Sequence, residues 1–255
     1  MSMLLAEGEP DPVGVERAES ASPFFLTCDH AGQRIPRVLG DLGVPDAERT
    51  RHIGWDIGAL GVASALSEFL GATLVTQRYS RLVIDCNRPV NSPDLICTRS
   101  EATDIPGNRA LRPGERDARI AAIYAPYHAR IARLLDQRAA AARATFYVAI
   151  HSFTPVYHGA SRPWEVGVLY GEDRRLALPL LDTLRALGRF TVGDNEPYRI
   201  DDKDQGIPVH ALSRGLPNVL IELRQDLIAT AAGQATWAAR LASALESAAE
   251  AMAPA

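Results

Sequence analysis

Short apolar runs alternate along this chain with stretches whose apolar residues recur at helical spacing, and this alternation restricts the fold more than any other feature. Phe24, Phe25 and Leu26 form the first run, closed by the polar cluster around Cys28, Asp29 and His30. Leu60, Ala63, Leu66 and Leu70 then recur at three- and four-residue steps, which predicts a helix over 57–70 ended by Gly71. Strands are expected at 73–76, 82–84, 146–150, 166–170, 190–192 and 218–223. Helices are expected at 113–143, interrupted by Pro126, and at 174–187, 208–214 and 227–252. Residues 91–108 and 193–207 read as loops. Strands alternating with helices predict a single α/β domain, in which a mostly parallel sheet is covered by helices on both faces. Glu7, Glu9, Asp11, Glu16 and Glu19, spread around Pro10 and Pro12, make residues 1–22 a flexible N-terminal arm, so the folded domain covers 23–255.

A chain of 255 residues, 47% hydrophobic, buries a core without a disulfide or structural metal, so a metal site would serve chemistry. Its net charge of −4 argues against nucleic-acid and membrane-surface partners and favours a small-molecule ligand. No apolar run approaches the roughly 20 residues that cross a bilayer, and the acidic start is unlike a signal peptide, which points to the cytoplasm. Cys28, Cys86 and Cys97 are odd in number and lack CxxC spacing, as expected of small buried hydrophobes. The sequence leaves the oligomeric state open.

In open α/β sheets, ligands bind at the carboxyl ends of strands. Four of the predicted strands end in residues capable of chemistry: His30, the pair Asn87 and Arg88, His151, and Glu222 with Arg224. His30, Asp56 and His151 offer two imidazoles and a carboxylate, a set that leaves a catalytic zinc an open position. The competing reading makes Asp56 a helix N-terminal residue and the histidines hydrogen-bonded loop residues. Glu222 interrupts an apolar run, so it faces solvent, pairs with Arg224, or sits in a cleft as a general base. Arg81, Asn87 and Arg88 form a candidate anion clamp, or Arg81 and Arg88 pair with Asp85. His210 and Arg224 are further candidate substrate contacts, whereas His52, His128 and His158 read as ordinary surface or loop histidines.

Five ordered blocks carry a resemblance: Cys28-Asp29-His30-Ala31-Gly32, His52-Ile53-Gly54-Trp55-Asp56, Tyr79-Ser80-Arg81 through Asp85-Cys86-Asn87-Arg88-Pro89, His151-Ser152-Phe153, and Glu222-Leu223-Arg224-Gln225-Asp226. Together they resemble the N-formylglutamate amidohydrolase family. The resemblance implies a zinc-carboxypeptidase-like and aspartoacylase-like fold, a three-layer domain around a central mixed sheet, with one catalytic Zn2+ per chain. It implies His30, Asp56 and His151 as metal ligands, Glu222 as general base and acid, and Arg81 as polariser. Asn87 and Arg88 would grip the carboxylate of a small acyl amino acid. The same ligands accept other divalent ions, and a deacylase or carboxypeptidase acting on another amide is the alternative within this chemistry. A metal- or small-molecule-binding protein without catalysis is the alternative outside it.

Overall fold

The computed structural model describes residues 4–252. Seven strands form the central sheet: β1 (Val13–Glu16), β2 (Phe24–Cys28), β3 (Thr73–Gln77), β4 (Phe146–Phe153), β5 (Val166–Leu169), β6 (Val192–Asp194) and β7 (Asn218–Arg224). Their order across the sheet is β1-β3-β2-β4-β7-β5-β6. The β1/β3 and β5/β7 pairs are antiparallel and the other neighbours are parallel, so the sheet is mixed and mostly parallel, as expected.

Side-chain alternation along each strand divides the core in two. Phe24, Leu26, Val148, Ile150, Val219 and Ile221 pack on one face with helices α1 (Ala59–Phe69), α3 (Ala177–Ala186) and α4 (Ala231–Glu250). Phe25, Tyr147, Ala149 and Leu220 pack on the other, against Tyr127, Ile131, Leu134 and Leu135 of α2 (Ala125–Ala140). Pro126 directly follows a π-helical turn at Ile120–Tyr124, which joins α2 without a gap to the helical residues Glu115–Arg119. The long predicted helix therefore runs on through the proline, with a π-helical turn in place of the expected interruption.

Two sequence expectations are corrected by the structure. Residues 4–22 are not a loose arm, because β1 pairs with β3 and both Leu4 and Val13 are buried. The buried Arg138 guanidinium also donates to the carbonyls of Ser20 and Ser22, at 3.2 and 2.5 Å. The many acids in this segment disguise a four-residue strand whose backbone supplies the attachment; residues 1–3 of the expected arm lie outside the described residues. Leu82, Val83 and Ile84 are buried yet form a turn rather than a strand. Asn108 Nδ2 donates to Leu82 O at 2.8 Å and Arg119 Nη1 to Val83 O at 2.9 Å, so side chains replace a strand partner for these carbonyls.

Candidate active site

His30 lies two residues beyond β2, and His151 lies inside β4, which runs three residues longer than the sequence pattern predicts. Glu222 stands opposite His151 in the parallel β4/β7 register, so both side chains leave the same face on adjacent strands. Asp56 precedes α1 and is tied to the first loop by its own N–H, which donates to His30 O at 3.0 Å. Gly58 turns the chain there with φ of 79°, and a Cβ at this position would lie 2.2 Å from Ile228 O. Only glycine allows both that backbone conformation and that approach.

One ligand atom from each of His30, Asp56 and His151 lies within 4.8 Å of the others, and all three residues are buried. His151 Nδ1 is 2.9 Å and His30 Nδ1 3.4 Å from Asp56 Oδ2. The second nitrogen of each ring has its own carboxylate: His30 Nε2 is 2.7 Å from Asp85 Oδ1, and His151 Nε2 is 3.2 Å from Asp29 Oδ2. A ring held through Nε2–H presents its Nδ1 lone pair, the arrangement in which imidazole binds a metal. His30 Nδ1 is enclosed without a hydrogen-bond partner. Asp29, Asp56, Asp85 and Glu222 face a single permanent cation in this cluster, Arg81, so a divalent ion would relieve a buried excess of negative charge. The cluster can hold a metal ion.

The pKa directions reflect this crowding. Burial alone would lower His151, but hydrogen bonds and charge from Asp29 and Asp56 hold it well above its ordinary value. Burial and Arg81 oppose ionisation of His30, and Asp85 with Asp56 outweigh them. Glu222 is pushed up to about 7 by burial, with Asp56 adding repulsion while His151, His30 and Arg81 act against it. Its Oε2 is enclosed and has no hydrogen-bond partner.

The cluster forms one end of a cavity of about 470 Å³ lined by His30, Asp56, Arg81, Asn87, Arg88, His151 and Glu222 among others. Arg81 grips Asp85 Oδ2 through Nε and Nη2 at 3.1 and 2.7 Å, and its Nη1 is 3.6 Å from Asp56 Oδ1. Asn87 is bound into the facing loop: Nδ2 donates to Asp204 at 3.0 Å, and Oδ1 accepts from the N–H groups of Gln205 and Gly206. Arg88 Nη1 donates to Lys203 O at 3.1 Å and lies 3.5 Å from Asp204 Oδ1. Its Nε and Nη2 have no hydrogen-bond partner among the described residues.

Two predicted substrate contacts do not line this cavity. Arg224 is spent on Asp226, at 2.8 and 3.2 Å, at the far end of β7. His210 is buried in the short helical turn Ile207–Ala211, its Nε2 2.8 Å from Nδ1 of His128. Burial lowers His128 to about 4 and His210 to about 3, where the neighbouring His128 adds to the effect. Both values lie below the ordinary 6.5, so as pH falls the unfolded chain takes up protons before the folded one does. Stability should fall from about pH 6.5 downward, by up to ~1.4 kcal/mol per pH unit for each ring. Urea unfolding of wild type and His210→Gln between about pH 7 and pH 4.5 checks this; parallel pH dependences would remove the pair as a source of acid lability.

Sequence reasoning missed the two carboxylates behind the histidines. The signal was present, since every candidate imidazole ligand needs an acceptor for its second nitrogen, and Asp29 and Asp85 stood in the quoted clusters. It also missed His52, which lines the cavity 3.2 Å from Glu101, together with Tyr157 and Tyr198. His52 opens one of the five blocks of the resemblance, whereas nothing in the local sequence marks Tyr157 or Tyr198.

The family model for N-formylglutamate amidohydrolase matches residues 22–229, which include every residue of the cluster. N-formylglutamate deformylases of Pseudomonas putida and Pseudomonas aeruginosa are 30% identical over 125 residues and 29% identical over 123 residues. These matches cover 45% and 44% of this chain, and the chain spans about half the length of the curated relatives it matches, 46% and 45%. The solved structure of a gene product of Agrobacterium tumefaciens is 44% identical, with a TM-score of 0.95 over 98% of this chain and 99% of that one. The N-formylglutamate amidohydrolase of Ralstonia eutropha shares the fold at 22% identity, with a TM-score of 0.72 over 95% of this chain and 98% of its own. The chain therefore belongs to the N-formylglutamate amidohydrolase family.

Proposed function

We propose that the protein hydrolyses the amide of N-formyl-L-glutamate, or of a closely related N-acyl amino acid, with a zinc ion held by His30, Asp56 and His151. The observation that carries this reading is Glu222: a buried carboxylate with an unpartnered oxygen, next to a set of residues able to hold a metal. Zinc in such a site polarises the acyl carbonyl and acidifies water. Glu222 takes a proton from the attacking water, and the water oxygen bonds to the formyl carbon. The C–N bond then breaks with its electron pair moving to nitrogen, and Glu222 returns the proton there, which leaves formate and the free amino acid. Asp29 and Asp85 hold the two imidazoles in orientation. Arg81 lies on the cavity wall to stabilise developing negative charge, while the free Nε and Nη2 of Arg88 suit the α-carboxylate.

No helix among the described residues is long and apolar enough to cross a membrane. We assign the activity to the cytoplasm, where the three cysteines, all free thiols, stay reduced. Formate release from N-formyl-L-glutamate by the zinc-loaded protein, compared with the same protein stripped by a chelator, tests the proposal. Metal-dependent release is expected, and a zinc-replete protein that releases none rejects the substrate.

A further inference from the structure

Residues 196–200 form one wall of the cavity that holds Glu222, which Tyr198, Arg199 and Ile200 all line. The chain is well fastened on either side of them. Before them, the Asn195 N–H donates to Val168 O at 3.0 Å, and Asn195 Oδ1 accepts from the Tyr170 N–H at 2.9 Å. After them, Asp204, Gln205 and Gly206 are bound to Asn87, and the Lys203 carbonyl to Arg88. Between these anchors burial contributes little, because Tyr198 and Arg199 are exposed and Ile200 is only partly buried against the core. One hydrogen bond among the described residues ties the segment to the rest of the protein: Arg162 Nη1 donates to the Tyr198 hydroxyl at 2.8 Å.

Arg162 does not itself line the cavity; it lies behind the aromatic rings that do. Its guanidinium is 4.5 Å from the ring centroid of Tyr157, 4.8 Å from that of Tyr198 and 5.9 Å from that of Phe153. The residue is 9% exposed, and its backbone is fixed by the hairpin that follows β4. There Val156 pairs with Ser161 and Tyr157 with Ala160, and the Arg162 N–H donates to Pro155 O at 2.8 Å. A planar guanidinium can stack on an aromatic face and donate a hydrogen bond in its own plane at the same time, and the cation–aromatic attraction strengthens as water is excluded. One side chain therefore joins the hairpin to the loop across the back of the cavity wall.

We propose that Arg162 is a positioning residue: by clasping Tyr157 and Tyr198 from behind, it holds residues 196–200 against the cavity, so that substrate meets a wall that is already formed. The link to substrate binding rests on the hydrolase reading above. A segment held by one hydrogen bond and little burial opens at small cost in free energy. Each opening takes Tyr198, Arg199 and Ile200 out of the wall, and apparent affinity falls in proportion to the closed fraction. Without the clasp, substrate binds more weakly while the chemistry at Glu222 is unchanged.

Arg199 supplies the test, because trypsin cuts after it at a rate set by how often the segment leaves the wall. Brief digestion with mass detection of the fragments should show this cleavage about 10-fold faster in Arg162→Gln than in wild type, the worth of one charge-assisted hydrogen bond. Cleavage after Arg174, in the connection between β5 and α3, is the internal reference and should be unchanged. Arg162→Lys, which keeps charge without the fork, and Tyr198→Phe, which keeps the ring without the hydroxyl, should each give an intermediate rate. In the metal-loaded protein, Arg162→Gln should raise KM for N-formyl-L-glutamate about threefold or more and change kcat by less than about twofold. Unchanged cleavage after Arg199 overturns the clasp, as does an equal rise after Arg174, which reports loosening of the whole fold. Faster cleavage after Arg199 with an unchanged KM overturns its role in binding. If wild type hydrolyses no substrate, the hydrolase reading fails, and the cleavage rates still decide the clasp.

Discussion

Glu222→Gln is expected to reduce turnover by about 10²- to 10⁴-fold, the usual worth of a general base, while the protein still binds one equivalent of zinc. Glutamine preserves shape and volume, so what is lost is the ability to accept and return a proton. The substitution should not destabilise the fold. Glu222 is buried among other carboxylates, with one oxygen unpartnered, and a neutral amide there removes repulsion from Asp56. Loss of activity with an unchanged or raised unfolding midpoint therefore identifies a proton carrier. Near-normal turnover, or zinc lost together with activity, would remove Glu222 from that role.

The second large effect is expected at Asp85, which no substrate need touch. Its carboxylate receives the Arg81 fork, holds His30 Nε2 and accepts the Asn87 N–H at 2.9 Å. Arg81 and His30 hold it well below the usual carboxylate range despite its burial. Asp85→Ala leaves Arg81 with Asp56 alone, at 3.6 Å, and frees the His30 ring to turn. Metal affinity should fall by about 10- to 100-fold. Stability should fall by about 2–3 kcal/mol, below the range for a fully buried pair because the Arg81 side chain is 26% exposed. Competition with a chromophoric chelator measures the first and urea unfolding the second. Asp85→Asn can still accept from His30, so it should recover part of the metal affinity and little of the ion pair. Equal affinity in Asp85→Ala and wild type would show that His30 is oriented by something else.

Different parts of this molecule are encoded over different ranges of sequence. The strands around 146–150 and 218–223 were legible because burial on both sheet faces requires continuous apolar residues, and the helices because one face of a 3.6-residue period must be apolar. His30, Asp56 and His151 were legible as candidates from position, at or near element ends, and from residue type. Local pattern could not separate residues 82–84 from a strand, since an apolar run reports burial and not the partner of its carbonyls. That partner is supplied by Asn108 and Arg119, distant in sequence. The acidic segment before Pro23 misled for the converse reason, because its strand is held by backbone pairing to β3, which composition does not record.

Periodicity and residue type, which act over a few neighbouring positions, made the α/β class and the chemical inventory readable from the chain. Tertiary structure decided which groups face one another. It set Glu222 beside His151 by strand register, placed Asp29 and Asp85 behind the imidazoles, and turned His210 and Arg224 away from the cavity. Each of these depends on distances of a few ångströms between residues up to 122 positions apart, where electrostatic energies change steeply and no local pattern carries the information.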